Sequence, residues 1–432
     1  MNTHDLYAAL TQKGASSIVV KSDLEPLSGL DTPVAPPTYS TTTDVPFHVW
    51  GRQDNERFAG VTINGVAAES NIVEACLARV AKDGELDLFT PRIEANLLDG
   101  IEDEFLAEHP REIVLSVLEL PHNVSDARFR DCEFVQSDGS AVPFRETDFG
   151  KAILNSTREN MTGLLTYAPT VFLVGTWDTH APQDEAHLRR VTRQQLCLRR
   201  AMTAEIIGHD VTIRPRTFTL TDPLGMDASI ELRKLDSYYG KFELKEGKEP
   251  SGAGLAAVIP SEDDRKKASG VFVKRISYWA NISLAALRRL HFPVQGNGGK
   301  LSRSSEIDGS ARAFLASLGI LGLALRIEDG FDLRSGCDLR PIEKPKWTIY
   351  GPTTEDVLLS AEITPDMAYA LYEHAYEIAK SRGFSWESTV YRLRPMPRLK
   401  AVIEANFRKL RDKSAGRDNG NGNNGSRSRR SR

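Results

Sequence analysis

The sequence predicts an α+β protein. Three observations carry that reading. Apolar, β-branched runs of strand length recur along the chain, several segments repeat apolar residues at helical spacing, and one helix-length run is apolar nearly all round. The 432 residues can bury a large core, and 40% hydrophobic with 26% charged residues is the balance of a soluble globular protein.

Ser16–Leu27, "SSIVVKSDLEPL", opens with β-branched residues and predicts a strand. Residues 28–60, rich in Pro, Thr, Gly and Asp, predict a long loop of the kind that is functional or mobile. "AAESNIVEACLARVAKDG" sets Ile72, Cys76, Leu77 and Val80 at helical spacing and stops at Gly84. "EIVLSVLEL" (Glu112–Leu120) reads as a buried strand. "TDFGKAILNSTRENMTGLL" reads as one helix capped by Thr147 or Asp148, and "PTVFLVGTWD" (Pro169–Asp178) as another buried strand. "RAMTAEIIGHDVTI" leads into the strand-like "RTFTLTD", and the Gly- and charge-rich stretch 236–270 predicts a mobile insertion.

"GSARAFLASLGILGLAL" predicts a buried helix. Its uncharged run, Ala313–Leu325, falls short of the roughly 20 residues that span a bilayer, so no membrane contact is expected. "TPDMAYALYEHAYEIAKSRG" predicts an amphipathic helix with Thr364 as cap and Gly383 as its end, and "MPRLKAVIEANFRKLRDK" another with a basic outer face. The cationic, low-complexity tail 414–432 cannot offset its ordering entropy by burial and is expected to be disordered. Cys76, Cys132, Cys197 and Cys337 lie far apart, with no C-x-x-C, which argues against a zinc knuckle or a disulfide framework. Reduced, buried thiols in a cytoplasmic protein are the simplest expectation.

Net charge is only −4, yet its distribution is uneven. Arg265–Arg303 holds nine Lys/Arg and no acid, with Phe272, Tyr278, Trp279, His291 and Phe292 among them. Cations for phosphates and aromatic faces for bases are what single-stranded nucleic acid requires. The alternative is a solvated basic face whose aromatics turn into the core. From this stretch Lys274, Arg275, Arg288 and Arg289 are candidate phosphate contacts, and Phe272 and Trp279 candidate base-stacking residues. A second basic stretch, Leu188–Phe218, has seven Arg against two acids and contributes Arg199 and Arg200; residues 83–112 carry ten acids against two Arg. Opposite charges on one chain suit head-to-tail contact between copies, which builds a filament where the rotation does not close; ordinary solvating charge is the alternative.

Signals for enzyme chemistry are weak. His122, Asp126, Asp178 and His180 are residue types of a metal-dependent phosphodiesterase or nuclease, but the chain has no H-E-x-x-H and no Asp-x-Asp cluster. "GNGGKLS" fails the P-loop pattern twice, with Val294 at the first Gly position and Leu301 after Lys300. No catalytic residue, metal or cofactor is expected.

Six segments taken together resemble one family: "IVVKSDLEPLSG", "LSVLELPHNVSDARFRD", "PTVFLVGTWDT", "LRRAMTAEIIGHDV", "ISLAALRRLHF" and "LRSGCDLRP". In this order they look like the backbone, crRNA-binding subunit of the type I-G (I-U) CRISPR Cascade surveillance complex, of the repeat-associated RNA-binding superfamily. The resemblance covers roughly residues 16–410. It implies a ferredoxin-like (RNA-recognition-type) palm with large finger and thumb insertions, so that 1–413 would form a single right-hand-like RNA-binding domain. It also implies a non-catalytic role. Copies would wrap one CRISPR guide RNA head-to-tail and hold it for pairing with a target DNA strand, alongside other Cascade subunits, while a separate helicase-nuclease cuts. Beside that groove His122 and Arg128 would be candidates to touch RNA backbone, with Asp126 as a cap or as the partner of an Arg. A polar network closing the palm explains the same residues equally well.

Overall fold

The computed structural model describes residues 2–38, 45–103, 106, 111–120, 122–177, 197–215, 268–296 and 299–414. The chain divides into two compact units. One comprises Met1–Asp99, Glu112–Arg216 and Lys266–Met396; the other comprises Gly100–Arg111, Thr217–Arg265 and Pro397–Arg432.

The first unit is a layered α+β structure around a large antiparallel sheet. Its strands are β1 (Ser17–Pro26), β2 (Val49–Arg52), β3 (Arg57–Asn64), β10 (Met202–Pro215), β11 (Ala268–Phe272), β12 (Arg275–Ser283), β15 (Phe331–Arg334), β16 (Cys337–Pro341), β17 (Lys346–Tyr350) and β18 (Val357–Ala361). The central order is β17–β1–β12–β10–β3–β2, every neighbouring pair antiparallel. Between β1 and β10 the chain forms α2 (Val66–Lys82), and between β12 and β17 it forms α3 (Ser305–Glu328). A second sheet contains β4 (Arg92–Asn96), β5 (Val114–Ser116), β6 (Cys132–Val135), β7 (Ala141–Pro143) and β19 (Val390–Pro395) in the order β5–β4–β19–β6–β7, with β4 and β19 parallel. Two small pairs, β8 (Thr176–Trp177) with β9 (Cys197–Leu198) and β13 (Val294–Gln295) with β14 (Leu301–Ser302), complete the strands.

Both long helices cover one face of the large sheet. Along β12, Ile276, Tyr278, Ala280 and Ile282 are fully buried and alternate with more exposed residues, the signature of a sheet packed on one side only. α2 buries Val73, Cys76, Leu77 and Val80, its three-to-four-residue stripe. α3 is wedged between sheet and α2. A Cβ added to Gly319 would stand 2.8 Å from the Ile282 side chain, and one added to Gly322 would stand 2.7 Å from Val73. Although α3 is long and apolar enough to cross a membrane, nearly all of its apolar stretch is packed inside the protein, so it serves as a core helix. α4 (Pro365–Ser381), capped by Thr364 (Met367 N to Oγ1, 3.3 Å), packs on α3 through Tyr372, whose ring lies tilted 5.3 Å from Phe314, and Trp386, just beyond α4, stacks on Phe314 at 4.6 Å.

Three expectations are corrected. "EIVLSVLEL" is a strand only over β5; Val117–Glu119 turn into a 3-10 helix. Within "PTVFLVGTWD", Val171–Val174 are a helical turn that Gly175, at φ +84°, ends before β8. "TDFGKAILNSTRENMTGLL" is two short helices, Asp148–Leu154 and Thr162–Tyr167, the first capped by Thr147, whose Oγ1 accepts from Gly150 N at 2.9 Å. Three cysteines are buried free thiols, and burial pushes Cys132 up to about 12 and Cys76 and Cys337 up to about 11. The insertion 236–270 lies outside the described residues up to Lys267, as does the tail beyond Ser414.

In the second unit, α5 (Pro397–Ser414) is the described helix, and the Arg111 guanidinium lies 5.8 Å from the centre of the Phe407 ring.

Candidate nucleic-acid interface

The sheet face turned away from α2 and α3 collects the chemistry. Strand alternation places Arg275, Ser277, Trp279 and Asn281 of β12 there. The register then builds a row across four strands. Lys346 of β17 is opposite Lys21 of β1, Lys21 opposite Trp279, and Trp279 opposite Glu205 of β10. Neighbouring rows are tied by hydrogen bonds. His209 Nε2 and Ser277 Oγ are 2.7 Å apart, and Asn281 Nδ2 donates to Thr203 Oγ1 at 2.8 Å. A cleft of about 700 Å³ opens over this face, lined by Lys21, Asp23, Arg275, Trp279, Lys344 and Lys346 among others. A second cavity beneath α2 is apolar and only about 40 Å³, room for a water molecule or two.

Four cations, Lys21, Arg275, Lys344 and Lys346, line the cleft against two carboxylates, Asp23 and Glu343, so its charge balance is positive. Lys21 and Lys346 are exposed and directly opposed, and neither has an acidic partner among the described residues. Like charges in directly opposed positions repel, so an anion between them is favoured. Lys344 on the rim is held by Glu362 at 2.8 Å. Arg275 and Asp23 stand 3.2 Å apart with both side chains more than half exposed, so solvent screens the pair and leaves the guanidinium available to exchange partners. Burial, then the Arg275 charge, holds the His209 imidazole below its ordinary value, which favours the neutral ring. Burial raises the Glu205 carboxyl, and His48 opposes that rise.

The structure separates the residues singled out from the sequence into three places. Phe272, Lys274 and Arg275 cluster at the β11–β12 turn, all exposed, and Trp279 sits half-buried on the open face. Arg288 and Arg289 follow a short helix beyond the opposite end of β12, nine residues long and so roughly 30 Å from end to end. Arg199 and Arg200 lie near that same end, since Ala201 O accepts from Ser283 N. Arg288 is exposed but its guanidinium donates to the Ala15 carbonyl, and Arg200 reaches Ser70 Oγ at 3.5 Å. Of the aromatics in the basic stretch, Tyr278 and Phe292 are wholly buried and belong to the core, so for those two the alternative of inward-turned rings is correct.

His122 and Arg128 sit elsewhere. Their segment is anchored to α2 on the helix side of the sheet, where the buried Asn123 Nδ2 donates to Glu74 Oε1 at 2.6 Å and to Thr170 Oγ1 at 3.3 Å. His122 is exposed. Asp126 is both cap and partner: Oδ1 accepts from Arg128 N at 2.9 Å, and both oxygens accept from the Arg128 guanidinium at 2.8 Å. Burial pushes the Asp126 carboxyl up, and the bonds from Arg128 outweigh it and leave it lowered. These bonds of Asn123, Asp126 and Arg128 form a polar network that fastens a turn and a short helix. Asp178 and His180 lie outside the described residues; among the described residues no three His, Cys, Asp or Glu side chains converge as metal ligands would.

Lys21, Lys344, Lys346, Glu205 and His209 escaped sequence reasoning. The one available signal was alternation, which places Lys21 on the same side of its strand as Val19 and Asp23. Which strand lies beside it is a tertiary fact.

These features define a sheet surface able to hold a phosphate beside a flat ring. A family model described as CRISPR-associated protein GSU0053 matches residues 18–213, under half of the chain, running from β1 into β10. It covers four of the six segments quoted above, together with Lys21 and Glu205, and stops before Trp279. The match supports a CRISPR-associated protein with a role in antiviral defence and with partners, in general terms, in a CRISPR complex. A comparison with curated proteins finds no match.

Proposed function

We propose that the chain is a non-catalytic, crRNA-binding backbone subunit of a type I-G Cascade complex. In this reading it holds guide RNA for pairing with a target DNA strand, in a cytoplasmic filament of its own copies, beside other Cascade subunits and a separate helicase-nuclease. The observation that carries the reading is Trp279 on the open sheet face, beside the Lys21–Lys346 couple, which has no acidic partner among the described residues, in a cleft of about 700 Å³. A ring for bases beside cations for phosphates is the elementary unit of single-stranded RNA binding. The central order β17–β1–β12–β10, with α2 and α3 as the two crossovers, is the order that a ferredoxin-like β-α-β-β-α-β palm would have and supports the same reading.

Fluorescence anisotropy with a labelled 20-nucleotide uridine RNA tests it. Binding should weaken with salt at a slope of about −0.7 per phosphate neutralised. Trp279→Ala should lose roughly fivefold to a hundredfold in affinity, the worth of one stacked base, measured at a temperature where circular dichroism shows the variant folded. Absence of binding, or full affinity in Trp279→Ala, would overturn the proposal.

A further inference from the structure

Asp23 is a carboxylate in a cleft where cations outnumber acids, and on its own it repels a phosphate. Its position offers it a different partner. It lies directly opposite Ser277, one row along the open face from the opposed pair Lys21 and Trp279. Asp23 and Ser277 both line the cleft. Ser277 Oγ is 2.7 Å from His209 Nε2, and the Asp23 carboxylate is 3.2 Å from the Arg275 guanidinium. Three successive open-face positions of β12 therefore present a ring at Trp279, a hydroxyl beside a carboxylate at Ser277, and a cation at Arg275. Successive same-face residues of a strand are roughly 7 Å apart. Ring, hydroxyl pair and cation follow the order of base, sugar and phosphate in a nucleotide.

We infer that Asp23 and Ser277 form a ribose subsite that holds the 2′-hydroxyl of the nucleotide stacked on Trp279, so that the cleft selects RNA against DNA. The inference rests on the RNA-binding reading above and names the part of the strand that the cleft recognises. The 2′-hydroxyl both donates and accepts, and it is the group by which a protein tells RNA from DNA. A carboxylate only accepts, whereas a serine hydroxyl does either, so the 2′-hydroxyl donates to Asp23 and accepts from Ser277. With its proton on Nε2, His209 donates to Ser277 Oγ and leaves the Ser277 proton to the 2′ oxygen, which makes His209 a positioning residue. Directly opposed residues on one sheet face have Cβ atoms roughly 5 Å apart, a gap that one hydroxyl oxygen between two short side chains bridges. Arg275, beside Asp23, offsets the charge that would repel the strand. The contact is the same whatever base the ribose carries. It reads no sequence and leaves the Watson–Crick edge to the target strand.

The test is fluorescence anisotropy on the full-length protein at one fixed salt concentration, with nine-nucleotide uridine strands carrying ribose, 2′-fluoro-ribose or deoxyribose at every position. The 2′-fluoro strand keeps the sugar pucker of RNA but has no 2′ donor. RNA should bind about tenfold more tightly than the 2′-fluoro strand, as one hydrogen bond to a charged acceptor provides, and deoxyribose should be no better than 2′-fluoro. Ser277→Ala, Asp23→Ala and His209→Ala, each shown folded by circular dichroism, should all narrow that ratio. Lys21→Gln should weaken the three strands alike and leave the ratio as it is. Equal affinity for the three strands, or a ratio that survives both Ser277→Ala and Asp23→Ala, would refute the subsite and leave single-stranded nucleic-acid binding standing. If none of the three binds, the RNA-binding reading falls and the subsite with it.

Discussion

Glu69 and Arg326 meet 3.2 Å apart in the core, with side-chain exposures of 0% and 2%. Glu69 lies in the first turn of α2 and Arg326 in the last turn of α3, so each charge also complements its own helix dipole. Asn64 Nδ2 donates to Glu69 Oε1 at 2.6 Å, and the guanidinium donates to the Gly330 carbonyl and lies 4.4 Å from the centre of the Phe331 ring. Glu69→Ala would strand a buried cation and should cost about 3–5 kcal/mol, read as a lower midpoint in urea. Glu69→Met with Arg326→Met should recover much of that loss. A single variant as stable as the parent would show that the pair is not holding α2 against α3.

Lys21→Gln combined with Lys346→Gln should weaken RNA binding and reduce the salt slope by about 1.4, or 0.7 for each cation lost. Because the two positive charges oppose each other, melting temperature should hold or rise. A salt slope equal to that of the parent would place the phosphate elsewhere.

The adjacent arginines 288 and 289 should part company. Arg288 donates to the Ala15 carbonyl at the entrance to β1, whereas Arg289 is exposed with no described partner of its guanidinium. Arg288→Ala should lower the melting temperature and Arg289→Ala should leave it unchanged. Equal behaviour of the two in thermal denaturation would contradict a structural role for Arg288.

Burial pushes the Glu74 carboxyl up to about 8, against the hydrogen bonds from Thr170 and Asn123. Its folded pKa lies above its unfolded one, near 4.5, so the native state holds the proton that the unfolded state gives up. The stabilisation is complete below pH 4.5 and is lost as pH rises through about 8. Glu74→Gln should therefore gain on the parent between pH 5 and pH 8, measured as the difference in unfolding free energy. A difference that is constant across that range would mean that Glu74 is ionised in the fold.

The parts of this molecule legible in the sequence are those whose pattern has a single solution. β1, α2, α3 and α4 follow their periods and caps. Val117–Glu119 and Val171–Val174 were misread because a short apolar run is compatible with a buried strand or a helical turn, and only neighbouring elements decide. Asp126 was read correctly as cap and partner because capping is local in sequence. In the candidate site Trp279 stood out among cations, but Lys21 and Lys346 acquire meaning only from cross-strand register, which joins residues far apart in the chain.

The parallel pairing of β4 with β19 joins Arg92 to Val390, about three hundred residues later. During synthesis β4 therefore emerges long before the strand that completes its sheet. Its edge stays open until nearly all of the first unit has left the ribosome, a slow and long-range closure. A nascent or truncated chain ending before Val390 exposes that edge to other chains, so premature termination should yield aggregates instead of a smaller folded protein.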